Sequence, residues 1–414
     1  HYEGDPERYR TAGEVTGWEE KDPLRRARHR LATLGVADEK LTILEDDVTG
    51  EIEGALARAR GGAEPDPVTL THYVTADRPA IPEPPPLPAG AETFRTMDAI
   101  RLALEYEMAA GPDVFLAGID IGAGGNVFGL TRGLHTRWPE RVRDTPISES
   151  AIVGLAVGAA MAGMRPVVEL MYLDFLGVCL DQLMNQAAKL RFMTGGLASI
   201  PLVLRTQFGA GRSSGSQHSQ SLEALLAHIP GLTVVMPSTP ADTYGLLRAA
   251  IRDPNPVVFI ENRLLYGQKG PRPPDDHLVP IGRARVVRPG RDVTVVSVSR
   301  MVHEAVAAAE TLAAEGIEAE VIDLRTVAPL DRETVLASLA RTGRLVIAHE
   351  AVLDFGIGAE LAALAAGEGF WHLDAPVARV GAAFTPAPYA PSLEQAWLPD
   401  RADVAEAVRA TVRV

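Results

Sequence analysis

The chain has one cysteine, Cys179, in 414 residues, so no internal disulfide can form and a cysteine-rich metal site is excluded. That usage implies a reducing compartment, and the expected location is the cytoplasm. No apolar run reaches the length of a membrane span; GLAVGAAMAGM is too short and too rich in glycine. The first residues, HYEGDPERYR, lack the basic-then-apolar pattern of a secretory signal. There is no concentrated basic charge either. The net charge of −14 is spread along the chain, which argues against nucleic acid and anionic membrane as partners. Walker motifs, a His-x-x-x-His pair and a nucleophile elbow are also missing, so metal catalysis by protein ligands alone is not expected.

What is present is enough for two or three domains of an ordinary globular enzyme. Residues 1–62 read as a loop followed by two helices. Asp22-Pro23 marks a helix start, Gly35 ends that helix, and Leu41, Leu44, Val48, Ile52 and Ala55 form one apolar stripe on the next. Residues 63–92, with AEPDP and IPEPPPLPAG, hold too much proline for helix or central strand and predict an extended linker. Residues 93–270 alternate helix with short β-branched runs (DVFLAGID, PVVELMY, IPLVLRT, LTVVMP, PVVFIE), the pattern of a doubly wound α/β domain. Within it, FLGVCLDQLMNQAAKLRFM predicts one long helix closed by Gly195-Gly196. A second Pro-rich joint, 271–285, leads to a smaller α/β domain over 286–414.

The chemistry is expected around DTPISES, residues 144–150. Ser148 predicts an N-cap, which puts Glu149 in the first turn of a helix, AIVGLAVGAAMAGM, with little polarity to solvate a charge. Locally that fits either a helix-capping carboxylate or one held in an apolar pocket to share a proton with a bound ring. His218 follows a Gly- and Ser-rich run and is either an exposed loop histidine or a proton shuttle. The oxygen-rich turn Asp253-Pro254-Asn255-Pro256 suits a hard cation or plain turn chemistry equally. His349-Glu350 reads as a structural pair. GIDIGAGGN, residues 118–126, lacks dinucleotide-fingerprint spacing and reads as a flexible loop.

Taken together, DTPISE, RPVVE, NQAAK, QHSQ, AIRDPNPVVFIE and LDAPVARV resemble the β subunit of the thiamine-diphosphate-dependent first component of 2-oxo acid dehydrogenase complexes, over about Thr93 to Val414. HYEGDPERYR, DPLRRARHRL and EIEGAL resemble the C-terminal end of the α subunit of the same family. The resemblance implies a transketolase-like pyrimidine-binding domain and a transketolase C-terminal domain behind a helical α-subunit-type tail. It implies oxidative decarboxylation of pyruvate or a related 2-oxo acid, with acyl transfer to a lipoyl group. Glu149 then matches the glutamate that bonds N1′ of the cofactor aminopyrimidine, and Ile147, Met171 and Phe175 the residues that line its pocket. His218 matches a histidine linked to reductive acylation of the lipoyl group, and His1 the α-subunit histidine flanking the active-site channel. Leu202, Ala250, Asp253 and Asn255 match a potassium site built mostly from backbone oxygens.

The Gly-Asp-Gly pattern that holds the magnesium diphosphate is absent, so magnesium is expected mainly on the α half. Where animal α subunits carry a regulatory serine, this chain has Tyr2. The implied partners are an α-type subunit or a missing N-terminal half, a lipoyl-bearing acyltransferase core, and further copies in a twofold assembly. The alternatives are an acetoin dehydrogenase first component or a non-catalytic module that docks the α part. A transketolase-like enzyme fits less well, since it needs the diphosphate half in the same chain. The acyl substrate is not fixed by these motifs.

Overall fold

A computed structural model describes residues 4–6, 8–88 and 90–413. They divide into two compact units, 1–70 and 71–414. No helix among the described residues is long and apolar enough to cross a membrane.

Among its described residues the first unit contains three α-helices, Ala12–Glu19, Pro23–Thr33 and Asp38–Arg60, one more than the pattern predicts, and a 3₁₀ turn at Pro67–Thr69. Asp22 caps the second, its Oδ1 accepting the amides of Leu24 (2.8 Å) and Arg25 (3.1 Å), and Pro23 fills the position where no amide is needed. On the third helix Leu41 is buried, whereas Leu44, Val48 and Ile52 are exposed.

The second unit is built, among the described residues, on two large sheets and a two-stranded antiparallel ribbon of Thr93–Arg95 with Lys269–Pro271. The larger runs, in spatial order, Thr326–Ala328, Thr233–Val235, Val257–Asn262, Val203–Phe208, Arg165–Leu170, Val114–Gly118 and Val142–Asp144. All pairs are parallel except the first. Its β-branched strands are buried on both faces: Val203 packs with Ile100, Leu104 and Leu247, while its neighbour Leu204 packs with Ile152, Leu183 and Ile260. The smaller sheet orders Ala378–Ala382, Leu345–Val352, Val293–Ser297, Ala319–Asp323 and Arg285–Arg288, the last antiparallel.

Two features depart from the sequence reading. Thr326–Ala328 follows the smaller sheet's Ala319–Asp323 strand in the chain, yet pairs with Thr233–Val235 at the edge of the larger sheet. It thereby covers an edge that would otherwise be open, and one apolar cluster runs on from Leu226 and Met236 to Leu324, Val327 and Leu361. The predicted long helix is broken into a 3₁₀ turn (Leu173–Phe175), an α segment (Leu176–Asp181), a π turn (Gln182–Ala187) and a last α turn (Leu190–Met193). The widened turn keeps Leu183 and Ala187 in the core while Asp181 and Asn185 stay outside, hydrogen-bonded to each other at 2.7 Å.

Candidate functional site

Parallel strands present their C-terminal ends to one crevice, and Ile147, Glu149, Met171, Phe175 and His218 follow those ends in the chain, whereas Leu202, Asp253 and Asn255 precede strand starts at the opposite edge. Glu149 is the first residue of the helix Glu149–Met161, as the sequence predicts, although the Ser148 hydroxyl makes no capping bond. The helix buries one face, Ile152, Val153, Ala156, Val157 and Ala160, and leaves Leu155 and Met161 exposed. Glu149 lies on the buried face at 9% exposure, with no hydrogen-bond or ion-pair partner among the described residues. It sits at the positive end of the helix. Ser150 Oγ donates to Val178 O (2.7 Å) and ties this helix to Leu176–Asp181. Cys179 on that segment is wholly buried; burial first, and then the charge of Glu149, push its thiol up to about 12. It stays protonated and acts as a packing residue.

Phe175 and His218 come together. The half-buried His218 ring stands edge-on to Tyr172 at 4.8 Å and to Phe175 at 5.4 Å between centroids. The loop that carries it is held at both ends. Asp174 Oδ1 accepts the amides of Ser219 and Gln220, each at 3.0 Å. Upstream, Glu350 Oε1 accepts the Ala210 amide (2.9 Å), and Glu394 accepts those of Gly211 and Ser213 (both 2.8 Å). Arg263, buried, donates Nη1 to Ser214 Oγ at 2.9 Å in the same loop.

Met171 and Ile147 are placed less closely. Ile147 is 80% exposed. Met171 borders a void of about 10 Å³ shared with Glu169, Arg205, Gln207, Glu261 and Tyr266. Here Arg205 bridges two carboxylates, Glu261 (2.7 and 3.0 Å) and Glu169 (3.1 Å), and Tyr266 donates to Glu261 (2.9 Å). Burial outweighs the attraction of Arg205 and raises the Glu169 carboxyl to about 7. This acid–base cluster was not anticipated; its members are spread over three strands and only the parallel register brings them side by side.

Leu202, Ala250, Asp253 and Asn255 are all buried and adjoin one another. Ala250 O accepts the Asp253 amide (3.2 Å), and Leu202 O accepts that of Val257 (2.9 Å). His1 lies outside the described residues. Sequence reasoning missed Asp174, Arg263 and Glu394, and read Glu350 only as half of a structural pair with His349; of the missed residues, only Asp174, next to Phe175 in MYLDFLG, stood close to a residue already singled out. No group of three or more His, Cys, Asp or Glu among the described residues is arranged to hold a metal ion.

The fold agrees with what known proteins show. Residues 92–269 match the family described as transketolase, pyrimidine binding domain, and residues 282–404 that described as transketolase, C-terminal domain. The acetoin:2,6-dichlorophenolindophenol oxidoreductase subunit beta of Cupriavidus necator is 49% identical over 325 residues, which are 76% of this chain and 96% of that protein. The mitochondrial pyruvate dehydrogenase E1 component subunit beta-2 of Oryza sativa is 45% identical over 78% of this chain and 87% of its own length. The 2-oxoisovalerate dehydrogenase subunit beta of Bacillus subtilis is 44% identical over 75% and 96%. A split gene transketolase, solved as an inactive beta4 tetramer, shares the fold with a TM-score of 0.65 at 24% identity, over 77% of this chain and 98% of that one. The chain thus belongs to the family of pyruvate, acetoin and 2-oxoisovalerate dehydrogenase β subunits.

Proposed function

We propose that this chain is the β-type half of a thiamine-diphosphate-dependent dehydrogenase that decarboxylates pyruvate or a related 2-oxo acid and passes the acyl group to a lipoyl arm. The reading is carried by Glu149, a buried carboxylate with no hydrogen-bond or ion-pair partner among the described residues, at the start of the helix that follows the strand Val142–Asp144. Such a group fits a ring nitrogen: an apolar wall strengthens the bond because water competes poorly there. When bound, thiamine diphosphate supplies the electron sink for decarboxylation. The chain's own part is to hold a proton between Glu149 and the ring nitrogen N1′, to flank the ring with Ile147, Met171 and Phe175, and to offer His218 for proton transfer during acylation of the lipoyl group. His1 is assigned by resemblance to the channel mouth.

The proposed organisation is an α-subunit-type helical tail (1–62), a linker (63–92), the pyrimidine-binding domain (93–270), a joint (271–285) and the C-terminal domain (286–414). Magnesium and the diphosphate fall to an α-type partner or preceding half, the lipoyl arm to an acyltransferase core, and the assembly to a reducing compartment, the cytoplasm. Acetoin remains the rival substrate, because relatives named for acetoin and for pyruvate match at similar identity. Turnover of pyruvate, acetoin and 2-oxoisovalerate by the complete assembly separates these.

The central test is Glu149→Gln in that assembly. Decarboxylation should fall by several orders of magnitude while the thermal midpoint stays put; wild-type turnover sinks the proposal. Titration with thiamine diphosphate, with and without the α-type polypeptide, tests the rival reading of a non-catalytic docking module. Absence of binding even with the partner favours that module.

A further inference from the structure

The turn Asp253–Asn255 is the one place where the residues present disagree with the group the resemblance implies. Its only formal charge is the Asp253 carboxylate, 2% exposed, and both carboxylate oxygens are already engaged. Oδ1 accepts from the Asn255 backbone amide (2.8 Å) and from Asn255 Nδ2 (2.8 Å). Oδ2 accepts from Arg78 Nε at 2.6 Å, and the same guanidinium reaches Thr233 Oγ1. The Asn255 side chain is spent on the same segment: Oδ1 accepts the Ala76 amide (2.6 Å) and Nδ2 donates to Ala76 O (3.0 Å). The nearby carbonyls face donors as well. Arg165 Nη1 reaches Ile251 O (2.8 Å) and Asp253 O (3.3 Å), while Ala250 O and Leu202 O accept backbone amides.

The segment that carries Ala76 and Arg78 belongs to the proline-rich stretch that composition predicts to be a plain connector. It is docked instead. The Tyr73 ring lies so close over Gly196 that an added Cβ there would meet Cδ1 at 2.7 Å, and Glu83 pairs with the buried Arg325 at 2.9 and 3.0 Å. Proline stiffness lowers the entropy lost on docking, so a few such contacts suffice to hold the segment down. An inorganic cation at the turn would have to displace a guanidinium from Asp253 or sit beside it, with no further carboxylate in the donor set to offset the added charge.

We infer that Arg78 is the resident cation of this turn, supplied in cis by the docked segment, so that the chain folds independently of potassium. The inference starts from the family resemblance for the site but concerns folding alone; the decarboxylation reading stands or falls separately. The experiment is thermal unfolding of the full 414-residue chain in potassium chloride and in choline chloride, each at about 0.1 M so that general screening is equal. The wild-type midpoint should be the same in both salts. Arg78→Ala should melt at least about 3 °C lower in choline and regain most of that loss in potassium. A saturable rise of the wild-type midpoint with potassium overturns the inference, and that measurement needs no variant. Wild-type stability of Arg78→Ala in choline overturns it too.

Discussion

Glu394 accepts the backbone amide of Gly211 at 2.8 Å, so a carboxylate of the C-terminal domain holds the loop on which the pyrimidine domain carries His218. Its other oxygen takes the Ser213 amide at 2.8 Å, and the side chain is 4% exposed. Both bonds run to a buried carboxylate, and a hydrogen bond to a charged group is worth roughly 1.5–3 kcal/mol.

Glu394→Ala should therefore loosen the His218 loop without touching Glu149. Acylation of a lipoyl substrate is expected to fall by about tenfold or more, the equivalent of one lost hydrogen bond to a charged group. Decarboxylation coupled to an artificial oxidant should fall much less, and Glu394→Gln, which keeps one acceptor oxygen, should recover part of the loss. Equal loss of both activities would mean that the carboxylate supports the whole fold rather than the loop.

Gly231 and Gly158 make opposite predictions for the same substitution. Gly231 has φ +101°, and an added Cβ would collide with the Ala188 carbonyl at the end of the π turn. Gly231→Ala should cost about 3 kcal/mol or more, because both the backbone and the neighbour must move. Gly158 lies inside a helix with nothing within 4 Å of the added atom. There alanine should stabilise the isolated chain by about 0.5–1 kcal/mol. Urea titration of the two variants decides both.

Cys179 should be silent toward thiol reagents. It is 0% exposed and its thiol is pushed up to about 12, so neither access nor thiolate is available. A chromogenic disulfide reagent should titrate no thiol in the folded chain and one in denaturant. Reaction in the native state at a rate near that of free cysteine would contradict the burial.

The parts of this molecule that could be read from the sequence are those with a local physical signature. Ser148 before an apolar Ala-Gly run places Glu149 at a helix start, and β-branched runs such as Val257 to Ile260 declare strands buried on both faces. What could not be read depends on register or on distance. Arg205 meets Glu169 and Glu261 because three parallel strands align, and no spacing within one strand announces it. Arg78 meets Asp253 across 175 positions, and the proline content that correctly ruled out helix there said nothing about docking. The π turn at Gln182–Ala187 was hidden for a related reason: its residues have good helix propensity, and packing of Leu183 and Ala187, not propensity, sets the winding. The pairing of Thr326–Ala328 with Thr233–Val235 is the same lesson at the scale of domains, since composition places the joint at 271–285 while a later strand crosses back.

Glu169 makes the last prediction. Its carboxyl moves from 4.5 to about 7, first because it is buried, with the Glu261 charge adding to the rise and Arg205 opposing it. Below the unfolded value both states hold the proton and the group is neutral to stability's slope. Between 4.5 and about 7 the unfolded chain has lost the proton that the folded chain keeps, so folding binds protons and stability falls as pH rises. Above about 7 both are ionised and the loss is complete, on the order of 3 kcal/mol from a shift of this size. Glu169→Gln removes the titration and keeps an oxygen for Arg205. Its stability relative to wild type should thus climb across that window and level off above it. The measurement is urea unfolding of both chains at several pH values from about 4 to about 8, a range that brackets the window. Parallel curves would show that Glu169 is ionised throughout, with Arg205 holding it as a permanent ion pair.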